Sequence, residues 1–269
     1  MTLPALWGIL NVTPDSFSDG GCFLDPDRAV ARAHQLVAQG ATVIDIGAES
    51  SRPGAKRTPA DEEKKRLRPV VDALADQGIT ISVDTMRAET AVDMVERGAH
   101  IVNDISGGRA DPEMVHAVAA LDVDYVMMHW RGHSDQMETH AVYDDVAAEV
   151  SQELQARIDE ATQAGIAADR IVIDPGFGFS KDIQHNWQLT KGLHTITSLG
   201  FPVLVGASRK RFLGALLATG HDATDRDGVS AVFSVWAAQK GVSALRVHEP
   251  RVHAEALALW QAATNGVTP

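Results

Sequence analysis

Eight apolar runs in this chain each stop at a polar residue able to bind or catalyse, and that repeat limits the fold more than any other feature. The run 6–10 stops at Asn11, 42–44 at Asp45, 79–83 at Asp84 and 101–102 at Asn103. Further along, 125–128 stops at His129, 171–173 at Asp174, 203–207 at Ser208, and 244–245 at Arg246 with His248 close behind. An apolar run without polar alternation is the pattern of a parallel strand buried on both faces. The gaps are irregular, but most suit a strand, loop, helix and return. Eight such units predict an α/β fold of the (β/α)8 TIM-barrel kind, in which the C-terminal strand ends share one mouth. Polar residues far apart in sequence then become neighbours.

The chain has 269 residues, close to the roughly 250 typical of one such barrel. No composition shift or low-complexity linker divides it, so residues 1–269 are expected to form a single domain. One cysteine, Cys22, excludes an internal disulfide and fits a reducing compartment. The N-terminus lacks a basic region followed by an apolar stretch, and no apolar run approaches a membrane span. A soluble cytoplasmic protein is the expectation. Lys and Arg total 24 against 36 Asp and Glu, a formal charge of −12. That balance argues against nucleic-acid or anionic-membrane binding, which need a basic face. Against this background the cations Arg52, Arg209, Lys210, Arg211, Arg246 and His248 cluster at or just after strand ends. They predict a small anion held at the mouth.

Helical spacing fills the gaps. It predicts helices over 27–39, 60–76, 85–97 and 142–164, over 182–199, 211–218, 229–240 and 250–263, and one opening at Asp111 and Pro112. The polar stretch 219–228 reads as a loop leading into an extra helix, and 265–269 as a frayed end. Three mouth loops are long: 12–26, 47–58 and 130–140. Long loops bearing glycine and proline at a barrel mouth are often lids. The first two also carry Asp15, Asp19, Ser50, Ser51 and Arg52.

No dinucleotide fingerprint, P-loop, CxxC pair or HExxH stands in the chain. Asp222, Asp225 and Asp227 lack EF-hand spacing and read as a solvated loop with a helix cap. What remains is Asp84, Asn103 and Asp174, ending three strands that point into one mouth. A carboxylate accepts two parallel hydrogen bonds from an aminopyrimidinone edge, much as an acidic side chain reads a base. A flat, hydrogen-bonding heterocycle is the ligand these residue types suit.

The stretch GILNVTPDSFSDGG (8–21) resembles the opening signature of dihydropteroate synthases. So do DIGAESSRPGA (45–55), VDT (83–85), VNDISGG (102–108), DPGFGFSK (174–181), GASRKRFLG (206–214) and RVHE (246–249), in family order along nearly the whole chain. The resemblance implies a (β/α)8 transferase of folate biosynthesis. Such an enzyme joins 6-hydroxymethyl-7,8-dihydropterin diphosphate to p-aminobenzoate with help from Mg²⁺, releasing pyrophosphate. Residue by residue it implies that Asp84, Asn103, Asp174, Lys210, Met128 and Arg246 hold the pterin. Asn11, Arg52, Arg246 and His248 match the diphosphate site, with Asn11 also beside the metal. Ser50, Ser51, Arg52, Pro53, Phe179, Ser208 and Lys210 surround p-aminobenzoate, and Asp19 steadies a pterin-methyl cation on an SN1-like path. A homodimer and sulfonamide sensitivity are implied in the same way.

The chemistry agrees with these residue types. An aniline nitrogen is a weak nucleophile, so rate must come from departure of the diphosphate, which arginine, histidine and Mg²⁺ stabilise. Ala48 stands where the family commonly has a second glycine, Ser51 where threonine is common and Glu249 where aspartate is common. Ala48 is expected to stiffen or shift the second loop. Two other protein classes fit part of the pattern. One is a methyltetrahydrofolate-binding corrinoid methyltransferase domain, which has less use for the Arg52, Arg246 and His248 clamp. The other is a catalytically silent pterin-binding paralogue, which has no need of Asn11, Arg52, Lys210 and Arg246 together.

Overall fold

The computed structural model describes residues 2–13, 25–50, 57–133, 136, 139–217 and 222–266. Asp15, Asp19, Cys22, Ser51, Arg52 and Pro53 lie outside these residues. Eight parallel strands run β1 (Ala5–Asn11), β2 (Val43–Gly47), β3 (Thr80–Asp84), β4 (Ile101–Asp104), β5 (Asp124–Met128), β6 (Ile171–Asp174), β7 (Leu204–Val205) and β8 (Ala244–Val247). Their order is β6-β5-β4-β3-β2-β1-β8-β7. A single bridge, Ile173 to Val203, brings β7 against β6 and closes the circle. This is the expected (β/α)8 barrel.

Helices α1 (Pro26–Ala38), α2 (Ala60–Ala75), α3 (Ala88–Glu96), α4 (Met114–Ala119) and α5 (Val146–Gln163) follow the first five strands. After them come α6 (Ile183–Lys191), α7 (Leu193–Thr197), α8 (Arg211–Gly214), α9 (Asp227–Gln239) and α10 (Pro250–Asn265). No described helix is long and apolar enough to cross a membrane.

Strand parity explains the site. Successive side chains of a strand point to opposite faces. Leu6, Leu10, Ile44, Ile46, Ile81, Val83, Tyr125, Met127, Ile171 and Ile173 join the outer core beneath the helices. The opposite face forms a separate apolar plug of Trp7, Val43, Ile101, Val126, Leu204 and Ala244, with Val172 packed on it. Two residues further along the same inner face come Ile9, Asp45, Asn103, Met128, Asp174, Gly206 and Arg246. The polar residues therefore stand directly above a dry floor.

Several boundaries differ from the sequence reading. Asp45 does not end its strand; β2 continues to Gly47 and Asp45 is fully buried within it. The helix expected from 85 begins at Ala88, whose N–H is capped from a distance by Asp111 Oδ2 at 2.8 Å. Asp111 thus serves a neighbouring helix, and α4 opens only at Met114. The helix expected from 142 begins at Val146 because Asp145 caps it, accepting from Ala148 N. The span 182–199 divides at Gly192, where an added Cβ would clash with Ala147 Cβ of α5. The helix expected over 211–218 is described as the short α8, and Asn265 belongs to α10. Asp227 is less free than a solvated cap, since it pairs with Arg209 through two bonds of 2.7 and 2.8 Å.

Trp7 is the largest member of the inner plug and 5% exposed. Trp7→Ala should destabilise the barrel by about 3–5 kcal/mol through lost burial and a cavity. Urea unfolding followed by circular dichroism measures it, and a loss below 1 kcal/mol would contradict a close-packed floor.

Candidate active site

The sheet register lines up the mouth. Asn11 pairs with Gly47, Gly47 with Asp84, and Asp84 with Asn103, so four residues from successive strands share one level. Met128 pairs with Asp174. Gly206 links the far side: a Cβ there would lie 3.7 Å from Asp174 Oδ2 and 3.8 Å from Arg246 Cβ. Gly47 has the same use beside Asp84, whose Oδ2 would sit 3.5 Å from an added Cβ. Two small residues thus leave room over the mouth.

Arg246 is the hub. Its Nε donates to Asp45 Oδ2 at 2.5 Å and its Nη2 to Asp84 Oδ2 at 2.8 Å. Asp45 also accepts from Ser82 Oγ at 2.6 Å and from Asn103 Nδ2 at 3.2 and 3.3 Å. One buried carboxylate therefore orients both Asn103 and Arg246. The sequence reading gave Asp45 no such role, because the apolar run before it stops there.

Burial sets the charges at odds with water. It raises the Asp84 carboxyl well above its usual range, opposed by the Arg246 guanidinium and reinforced by Asp45. Burial also raises Asp174 to about 6, against the Gly176 N–H and the cations Lys210 and Arg246. Asp174 Oδ1 accepts from Gly176 N at 2.7 Å. Lys210 is pushed down to about 8, first by burial and then by Arg246.

On the other side of the mouth, Lys210 Nζ lies 4.0 Å from the centre of the Phe179 ring. Gly178 makes this possible: its φ is +75° and an added Cβ would meet Lys210 Cδ at 2.9 Å. Ser208 Oγ is 3.0 Å from His248 Nδ1 and accepts from the His248 backbone N–H at 3.3 Å. That arrangement directs the serine proton at Nδ1 and leaves the proton of a neutral imidazole on Nε2. Burial, then Arg209 and Arg246, push the His248 pKa well below its usual value. The loop carrying His248 is tied to α1, where Arg32 Nη2 donates to His248 O at 3.0 Å and Glu249 Oε2 at 3.3 Å.

The structure therefore brings Asp84, Asn103, Asp174, Lys210, Arg246, Met128 and Phe179 around one mouth, with Asn11, Ser208 and His248 at its rim. Ser50 lies three residues beyond β2, at the edge of the described residues. Its loop is anchored at the base, since Glu49 accepts from Thr58 N and pairs with Arg87, which also pairs with the buried Glu63. Ala48 is buried, and it is not among the described residues with positive φ, so its Cβ adds no backbone strain. Among the described residues no group of three His, Cys, Asp or Glu could hold a metal.

A parallel barrel with an acid–amide–cation mouth defines a class of barrel enzymes, and residues 7–248 match the family described as pterin binding enzyme. A dihydropteroate synthase of Mycobacterium leprae is 50% identical over 255 residues, 93% of this chain and 90% of that protein. The structure of a Yersinia pestis dihydropteroate synthase in a sulfonamide drug complex superposes with a TM-score of 0.93 at 39% identity, covering 98% of this chain and 95% of the other. That of a Xanthomonas albilineans dihydropteroate synthase with 4-aminobenzoic acid gives 0.90 at 42% identity, with 99% and 94% covered. The chain belongs to the dihydropteroate synthase family.

Arg246 opposes the burial that raises Asp84. In Arg246→Ala the Asp84 carboxyl should therefore titrate at still higher pH, as read by carbon NMR of Asp-labelled protein. An unmoved titration would contradict the pairing.

Proposed function

We propose that this chain condenses 6-hydroxymethyl-7,8-dihydropterin diphosphate with p-aminobenzoate, giving 7,8-dihydropteroate and pyrophosphate. The observation that carries this reading is the mouth itself, where Asp84, Asn103 and Asp174 surround Arg246 above an apolar floor. Together they offer acceptors for the N–H edge of a pterin and a cation beside its diphosphate.

In this scheme Asp84, Asn103, Asp174 and Lys210 bind the pterin, Met128 lines its pocket and Arg246 faces both ring and diphosphate. The bond from the 6-methylene carbon to the diphosphate oxygen breaks, and the amine nitrogen of p-aminobenzoate forms the new bond and then loses a proton. The leaving group takes the electron pair, and Arg246, His248 through its Nε2–H, Asn11 and Arg52 stabilise its charge. Phe179, Lys210, Ser208 and Ser50 border the p-aminobenzoate position. Ser51, Arg52, Pro53 and Asp19 join these roles by likeness to the family motifs alone.

Mg²⁺ fits this donor set, because it takes oxygen ligands and keeps several waters rather than needing an all-protein cage. Asn11 would supply an amide oxygen and the diphosphate the remainder, and the bound ion would neutralise charge on the leaving group. The homodimer is carried by likeness to the family alone. A single cysteine and soluble substrates fit the cytoplasm.

The direct test is pyrophosphate release that requires both substrates; release without p-aminobenzoate, or none at all, would reject the assignment. Asp174→Asn replaces an acceptor by a donor facing ligand N–H groups. It should cost about 1–3 kcal/mol, roughly five- to 150-fold in pterin Kd by calorimetry. The same contacts require carboxylates. Burial raises Asp84 to about 7 and Asp174 to about 6, so pterin affinity in the wild type should be full above both values and fall as pH drops through them. Flat affinity from pH 7 to 5 would argue against the contact. Sulfonamides, which copy the aniline ring, should compete with p-aminobenzoate, and inhibition that rising p-aminobenzoate fails to relieve would displace Phe179 from that site.

A further inference from the structure

We propose that Lys181 is a positioning residue for the second substrate: seated on His129, which Glu153 holds in turn, its buried amine group clamps the loop between β6 and α6 and so presents Phe179 to the mouth. The proposal rests on the synthase reading for its kinetic consequence.

The loop needs holding. Gly176, Gly178 and Ser180 all lie in the left-handed region, with φ of +69°, +75° and +46°. A serine there is strained in a way glycine is not, and such residues persist only where surroundings over-determine them. Side chains hold its turns, one of them the loop's own Lys181. Lys181 Nζ donates to Gly176 O and Phe179 O, each at 3.2 Å. Tyr143 OH donates to Ser180 O at 3.0 Å, and Gly178 N donates to Asn186 Oδ1 at 2.7 Å.

Lys181 Nζ also lies 3.0 Å from His129 Nδ1, so three acceptors face the three donors of its protonated form, which they support against the burial that pushes the group down to about 7. His129 is 2% exposed, and its Nε2 lies 3.1 Å from Glu153 Oε2. Burial and then Lys181 push the imidazole down to about 4. The neutral ring with its proton on Nε2 donates to Glu153 and turns a lone pair to Lys181. Arg131 pairs with Glu153 and Glu149 and lies 3.9 Å over the Tyr143 ring, which joins both arms of the clamp. These partners come from the residues after β5 and from α5, outside the reacting mouth.

Stability alone gives no reason for this arrangement, since an apolar side chain of similar volume often does as well as a buried ion. Two loop carbonyls facing one point do give a reason. Phe179 is the residue most exposed to the loss of the clamp, because its own carbonyl is one of them and its ring borders Lys210. Asp174 belongs to β6, where the His129 backbone N–H holds its carbonyl at 2.8 Å, and only its side-chain bond from Gly176 N meets the clamped loop. The clamp therefore acts on p-aminobenzoate more than on the pterin.

Lys181→Met fills the same volume without donors, and Tyr143→Phe removes one bond at the other arm. Pyrophosphate-release kinetics should show the p-aminobenzoate KM rising tenfold or more in Lys181→Met and two- to fivefold in Tyr143→Phe. The pterin diphosphate KM should stay within threefold in both. Hydrogen exchange read by mass spectrometry over residues 175–182 should quicken at least tenfold in Lys181→Met and measurably in Tyr143→Phe. A folded Lys181→Met with p-aminobenzoate KM and loop exchange within twofold of wild type would overturn the proposal, as would both KM values rising in parallel. If Lys181→Met fails to fold, Tyr143→Phe decides by the same two measurements. Exchange does not depend on turnover, so absence of synthase activity in the wild type would reject the function while loop protection still judges the clamp.

Discussion

The mouth of this barrel is organised by one guanidinium shared between two carboxylates. Arg246 bonds Asp45 through Nε and Asp84 through Nη2, and Asp45 in turn gathers Ser82 and Asn103. Buried charges are costly unless geometry and hydrogen bonding are nearly complete, and here Asp45 accepts from an arginine, a hydroxyl and an amide at once. Removing any one member leaves a desolvated charge facing the others. The apolar plug of Trp7, Val43 and Leu204 directly below keeps water from replacing the lost partner. Site and core are therefore one packed object, continuous along the inner face of the strands.

This arrangement leaves the mouth self-satisfied yet ready to exchange partners. Asp84 and Asp174 hold raised pKa values, while Lys210 beside them is lowered. A ligand bringing N–H donors and an anion offers each side the partner that burial has made scarce. Internal pairs then give way to ligand pairs, and the free energy of binding is the difference between two well-made sets. Specificity follows from the same balance, since an analogue lacking one N–H group strands a carboxylate that burial already disfavours.

Loops follow a second rule. The sheet fixes strand ends, and ion pairs outside the mouth fix the chain that follows them. Arg32 of α1 holds the backbone at His248, Arg209 is braced by Asp227, and Arg87 with Glu63 secures the base of the loop after β2. Lys181 with His129 and Glu153 does the same after β6. Each tether reaches back to a helix or a neighbouring loop, so the barrel's outer ring takes part in shaping the chemistry of its interior.

The sequence by itself determined the repeat, the barrel and most of the mouth. Unbroken apolar runs need burial on both faces, and only helices outside and a plug inside provide it eight times over. Asp84, Asn103, Asp174 and Arg246 were legible because strand ends converge. Asp45 was not, since its run looks as though it stops there; only pairing with β1 and β3 carries β2 on to Gly47 and turns Asp45 inward. Helix starts were misplaced for a similar reason, as when Asp111 caps Ala88 across 23 residues. Nor does spacing reveal that His129 and Lys181, 52 residues apart, share a proton donor and acceptor. Periodicity records which faces are apolar, a local property of the chain. Which polar groups meet across the barrel depends on register, side-chain reach and burial, and those exist only once the strands have closed.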